Sequence, residues 1–285
     1  MACGLVTTYL RSAMKTIYLL CLGVLLLTFQ SCNYFKPKHP QADLPEDGST
    51  GMTEKTILNF AGSIDRTLKN FKKEISLVYT TGDISMYVEK YSEYNNGMLY
   101  NIYSANGNIS NTVKSYYFKN DSLILVKEQS NIRNEEGDVY KDIRTYLRNN
   151  VTFRIDSRTA ASEEAIQTLP YLLVQPAENK YPQESFAADI KGINDAILGA
   201  DKFEMVFDNI TTYPESHYIN LKNRRLNTYK AAILVNTKDA YIDSLLSMPA
   251  LFKDEKLKLK WNIVDNEAVY VPVADTTTSA SGLNR

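Results

Sequence analysis

Between residues 80 and 150 the chain is cut into short runs by six turn signals: "TTGD" at 80–83, "NNG" at 95–97, "NGN" at 106–108, "KND" at 119–121, "NEEGD" at 134–138 and "NN" at 149–150. The runs between them are rich in Tyr, Val and Ile, residues that suit a pleated, half-buried surface. Connections this short leave no room for a crossover, so each strand pairs antiparallel with the next. The spacing predicts about seven strands up to Ile155, arranged as a meander, and a sheet of that length must twist and curl. Ile84, Met86 and Val88 alternate with Ser85, Tyr87 and Glu89, which sets one buried face against one wetter face.

Ahead of the meander, Ile57, Ala61, Ile64, Leu68 and Phe71 recur at steps of four and three, while Asp65, Arg66, Lys69, Lys72 and Lys73 fall elsewhere on the wheel. That pattern predicts an amphipathic helix over 54–73 with one buried stripe, capped by Thr53. Residues 160–200 lose the strand pattern, with Pro170, Pro176 and Pro182 as breakers. A second helix is expected from Ser185 to Leu198 on Phe186, Ile190, Ile193 and Ile197, closed by Gly199. Strands return at 202–207, 217–221, 227–235 and 256–264, with a short helix at 238–248 before Pro249. The expected fold class is α+β: mainly antiparallel meander sheet, curled, with amphipathic helices packed on one face. Residues 53–159 would form the helix plus meander, 160–274 a helical connection plus a second antiparallel segment, and 275–285 a polar, disordered tail.

The N-terminal stretch reads differently. An uncharged apolar core from Ile17 to Phe29 falls short of the ~20 residues that a spanning helix needs, so it reads as an export signal, with Met14-Lys15 as its true start. The core stops at Ser31-Cys32 and the chain turns polar. On these residues the segment is similar to bacterial lipoprotein precursors of the Bacteroidetes type, although Phe29 and Gln30 stand where the common pattern has Leu and a small residue. The resemblance covers only about the first 35 residues. It implies that 1–31 are removed as a signal peptide and that Cys32 is the lipid attachment point.

All three cysteines, Cys3, Cys21 and Cys32, lie in or at the end of that leader, so the mature chain holds no pair to oxidise and must be stabilised by a core. Residues 32–52, with three prolines and scattered charge, read as a flexible tether. In the similar lipoproteins, acids directly after the cysteine mark transfer to the cell surface. Here Lys36 and Lys38 precede Asp43, which implies an outer-membrane anchor facing the periplasm. Arg11 and Lys15 leave with the leader, taking the net charge from −1 to −3, and no nucleic-acid footprint is present. The expected partners are the membrane, through the lipid anchor, and an apolar ligand or envelope protein.

Little in the body points to catalysis. His217 is the one histidine beyond the tether, there is no G-x-S-x-G, and the sole mature cysteine is the acylated one. "RNEEGDVY" at 133–140 is acidic but lacks the spacing of a calcium loop and reads as a hairpin turn. No metal or cofactor is expected. A pair of carboxylates for glycoside hydrolysis needs only two acids at the right separation, which keeps a carboxylate-type hydrolase of envelope polymers as the alternative.

Residues 256–263 are the most regular feature: Leu257, Leu259, Trp261 and Ile263 share one face, Lys256, Lys258, Lys260 and Asn262 the other. The lysine face is either a solvated edge kept from sticking to other sheets or a basic strip for anionic headgroups and envelope polymers. The tyrosines at 87, 91, 94, 100, 103, 116 and 117 suit sheet positions, and a stacking platform for a glycan or peptide is the sharper reading. Thr276, in Asp275-Thr276-Thr277 of the tail, is a candidate O-glycosylation site by its likeness to the short Bacteroidetes pattern. The function expected is a non-enzymatic binding or scaffold module of the envelope. A curled sheet roofed by a helix is similar in outline to the open half-barrels of lipoprotein and lipid carriers, an analogy of architecture alone.

Overall fold

The computed structural model describes residues 52–94, 96–176, 186–225 and 228–272. Cys32, the tether up to residue 51 and Thr276 lie outside the described residues. None of the described helices is long and apolar enough to cross a membrane.

Helix α1 spans Glu54–Thr67, and Thr53 caps it by accepting from the Thr56 amide at 3.3 Å. Its apolar stripe buries Ile57, Ala61 and Ile64. The helix stops short of 73: residues 68–70 form a 3-10 turn and Lys72–Ile75 becomes strand β1. A strand wins there because β1 has a ladder partner, in which Lys73 lies opposite Tyr91 and its ammonium sits 2.6 Å from Glu89.

The meander follows as β2 (Tyr79–Thr81), β3 (Ile84–Glu93), β4 (Asn96–Asn106), β5 (Ser110–Lys119), β6 (Ser122–Asn134), β7 (Gly137–Arg148) and β8 (Val151–Ala160). Each pairs antiparallel with the next, and the chain reverses at all six turn signals. Two of those turns place consecutive residues at positive φ, Asn120 and Asp121 at 48° and 60° and Asn149 and Asn150 at 49° and 59°. Asn and Asp tolerate that region, and such turns match the twist of a tight hairpin. There are eight strands rather than about seven because the first run breaks at Ser76. The Ser76 hydroxyl accepts the Val88 amide at 3.0 Å, so β1 and β2 lie along the same edge of β3 with a gap between them.

Beyond β8, a short helix α2 (Glu163–Thr168), which the sequence reading missed, is capped by Ser162, and β9 (Leu172–Leu173) ends the sheet. Helix α3 (Ala187–Leu198) closes at Gly199 in the left-handed region, φ 59°. Residues 201–203 are a 3-10 turn rather than strand, and β10 (Met205–Thr212), β11 (His217–Asn223) and β12 (Lys230–Val235) follow. Helix α4 (Ala240–Ser247) is capped by Asp239, which accepts from Tyr241 and Ile242 amides. Strands β13 (Trp261–Val264) and β14 (Glu267–Tyr270) form the last hairpin.

All of this is one open sheet, with β10 and β9 at its ends, joined across the middle by two residue pairs of β12 and β2, Lys230 with Thr80 and Ala231 with Tyr79. The rest of that β12 edge takes β14, and it does so in parallel, Ile233 opposite Ala268. The sheet is therefore mixed rather than wholly antiparallel, and it forks at β12.

The helices do not share one face. Leu99, Tyr117 and Leu125 pack with Ile57, Ala61 and Ile64 of α1, whereas their immediate neighbours Tyr100, Tyr116 and Val126 pack with Ile193 and Ala196 of α3. Consecutive strand residues point to opposite sides, so α1 and α3 clasp the sheet between them. The reason is visible in the strands, which are apolar on both faces at these rungs instead of alternating with polar residues.

The expected strand over 256–263 is also corrected. Only Trp261–Val264 is strand. Among the described residues no backbone-to-backbone hydrogen bond involves Lys256, Leu257, Lys258 or Leu259. The in–out alternation persists without a ladder: Leu257 and Leu259 are half-buried and the three lysines exposed. This segment is a strap, held down by its side chains.

Candidate functional site

The strap covers a hollow in the larger of the two cores. Gly199 lets the chain double back after α3, so that Phe203 turns under the helix and packs on Tyr79 with ring centres 4.6 Å apart. Tyr79 is held from the other side, its hydroxyl donating to the Ala196 carbonyl at 2.9 Å. Leu221 of β11 and Ile233 of β12 form the floor. Each of these residues comes from a different element, and between them lies a cavity of 100 Å³ closed above by Leu257, Leu259 and Trp261. Burying a side chain such as that of Phe203, 1% exposed, is worth about 1.5–3 kcal/mol, and that burial holds the wall in place.

The strap is pinned at both ends. Trp261 Nε1 donates to the Ser76 carbonyl at 3.0 Å, using the acceptor that the break between β1 and β2 leaves free of the ladder. At the other end Lys256 Nζ reaches the Gly199 carbonyl at 3.5 Å, beside the negative end of α3. Between them the Lys258 backbone lies close to the Tyr241 hydroxyl. Among the described residues Lys256 is the one charged residue lining the cavity, and exposed Leu198 stands with it at the rim.

On the far side of the strap a second, open hollow of 330 Å³ sits in the fork of the sheet, between Ile75 of β1 and Asn262 of β13. Leu259 and Trp261 line both hollows, and Lys260 lines the open one. The predicted lysines are thus separated by place: Lys256 stands at the cavity under the strap, Lys260 at the open hollow, and Lys258 at neither.

The remaining candidates have local explanations. Asp138 of the acidic turn is ion-paired to Arg133 at 2.9 Å across the hairpin. His217 begins β11 and lies 3.1 Å from the Thr212 hydroxyl. Among the described residues, the three buried carboxylates are each matched to a cation. Glu89 takes Lys73 and the hydroxyls of Tyr91 and Tyr103, Asp142 takes Arg158 at 2.6 Å, and Asp156 takes Arg154 at 2.7 Å. None of the three lines either hollow.

Sequence reasoning picked out the strap residues but not their partners. Gly199 was visible only as a helix stop, and Ser76, Tyr79 and Phe203 gave no signal, since the cavity draws them together from residues far apart in the chain. Compared with known proteins, the chain matches no protein-family model, no curated protein and no solved structure.

Proposed function

We propose that this protein is an envelope lipoprotein that works by binding rather than by catalysis, and that the apolar part of its ligand occupies the cavity beneath the strap. One observation carries the reading: a cavity of 100 Å³ at the main core, roofed by Leu257 and Leu259, which make no backbone-to-backbone hydrogen bond among the described residues, and by Trp261, where the ladder to β14 begins. A void in a packed interior costs stability, because its lining loses contacts. A core that keeps one next to a detachable roof has a use for it. For scale, an engineered apolar cavity of roughly 150 Å³ takes up benzene, so this one suits the end of an alkyl chain or a small branched group.

In this reading Cys32 carries the acyl anchor and residues 32–52 hold the body off an outer membrane, facing the periplasm, with the open sheet curling around α3. The membrane is the first partner and the apolar ligand the second. The hydrolase alternative is the weaker reading, because each buried carboxylate is already neutralised by a lysine or arginine in contact with it.

Native mass spectrometry of the protein purified from a bacterial envelope tests the proposal. A small apolar molecule carried on the folded chain is the expected result. A single empty mass, unchanged after incubation with envelope lipid extract, overturns it.

A further inference from the structure

We infer that the ligand is a single-chain anionic amphiphile, its tail in the cavity and its acidic head read by Lys256 and Lys260. The inference rests on the binding reading above and adds the chemistry of the head. Three observations lead to it.

The first is charge without a partner. Lys256, Lys258 and Lys260 are exposed, lie on one side of a five-residue stretch, and among the described residues none has a carboxylate within ion-pair distance. Neighbouring lysines differ: Lys253 contacts Asp208 at 2.6 Å and Lys222 contacts Asp254 at 2.7 Å. The 3.5 Å contact of Lys256 with the Gly199 carbonyl leaves donors of its ammonium unused.

The second is position. Lys256 stands on the rim of the cavity under the strap with Leu198, which is 71% exposed, and Lys260 on the open hollow. A mainly apolar chamber whose only charged lining residue, among the described ones, is a cation fits a molecule with an apolar tail and a negative head. A neutral hydrocarbon would leave the lysine unanswered, and a cationic head would be repelled.

The third is the partition. Leu259 and Trp261 form the wall shared by the two hollows, so a tail entering through the fork displaces them first. Leu257 and Leu259 make no backbone-to-backbone hydrogen bond among the described residues, so lifting Leu259 breaks no sheet bond, while the Trp261 backbone stays in its ladder with Tyr270.

Trp261 is the only tryptophan in the chain, so its emission reports this wall alone. The test titrates the mature chain, residues 32–285 with Cys32→Ser, which carries neither the apolar leader nor the acyl anchor and needs no detergent, with octanoate, octan-1-ol and octylammonium. The expected result is a saturable change in Trp261 emission with octanoate at an affinity roughly fivefold above the alcohol, the upper range for exposed ion pairs, and weaker still for the ammonium. Lys256→Gln with Lys260→Gln brings octanoate down to the level of the alcohol measured on the same variant. Lys258→Gln, which alters the same strap by the same charge, leaves octanoate binding as it was. Equal affinity for acid and alcohol, or equal losses from all three substitutions, overturns the head-group inference while the cavity reading stands. No response to any of the three probes removes both.

Discussion

A buried tyrosine puts an apolar ring and one hydroxyl into the same place, and the hydroxyl must find a partner there. In this protein it does. Tyr117 donates to Asp65 at 2.9 Å, and Tyr91 and Tyr103 both donate to Glu89, at 2.8 and 3.2 Å. Tyr87 stacks on Tyr103 with ring centres 4.5 Å apart, so that each ring covers one face of the other. Burial, and then the charge of Glu89, pushes the Tyr87 phenol from its usual 10.0 up to about 12, and burial pushes Tyr79, Tyr91, Tyr103 and Tyr117 higher still. The folded state therefore holds these protons more tightly than the unfolded chain. Their contribution to stability is complete below the unfolded value and is lost as pH rises through the folded ones. The urea midpoint is expected to be insensitive to these groups between about pH 7 and about pH 9, and to fall steeply above about pH 10. A midpoint that held through that alkaline range would mean that the hydroxyls are open to water.

At the scale of elements, the hairpins were legible because their information is local. Each turn needs only two or three residues of the right kind, as at Asn120-Asp121 and Asn149-Asn150, and the strand on either side follows. Where two arrangements compete for the same residues, the sequence alone could not decide. Lys72 and Lys73 suit the polar side of α1, yet they become strand because β3 offers a ladder. Conversely, Lys256 to Leu259 alternate as well as any strand in the chain and make no backbone-to-backbone hydrogen bond among the described residues, while the edge of β12 is shared by β2 and β14. The alternation was legible and the vacancy of a partner was not, and the cavity beneath depends on the second. This difference is measurable by hydrogen exchange. Amides of Leu257 and Leu259 are expected to exchange about a hundredfold or more faster than that of Leu125, which sits mid-sheet and opens only with the whole fold. Equal protection would show the strap to be a strand after all, and the detachable roof would go with it.

At the scale of the molecule, the open question is whether the meander and the C-terminal strands behave as one body. They touch through a narrow ladder, the two pairs between β2 and β12, and on that count alone the halves could come apart. The side chains argue the other way. One apolar cluster runs from Val88, Tyr100 and Tyr116 of the meander through Ile193 of α3 to Phe207, Ile219 and Ile233 of the C-terminal strands, and Phe203 packs at the crossing. Tyr79 belongs to the junction ladder and to that cluster at once, so the two pairs cannot part without opening the core. Phe203→Ala is therefore expected to cost about 3–5 kcal/mol, the range for deleting a buried aromatic ring, and to lower both halves together. Trp261 emission reports the C-terminal half, and far-ultraviolet circular dichroism is dominated by the strands of the meander. Under urea the two signals are expected to give one coincident transition, in the parent and, at lower denaturant, in the variant. If the substitution shifted the Trp261 transition and left the dichroism transition in place, the ladder rather than the core would set the coupling. The cavity would then belong to a C-terminal module that merely leans on the meander. Coincident shifts would make the cavity a property of the whole fold, so that filling it with a ligand stabilises strands as distant as β6 by the same free energy.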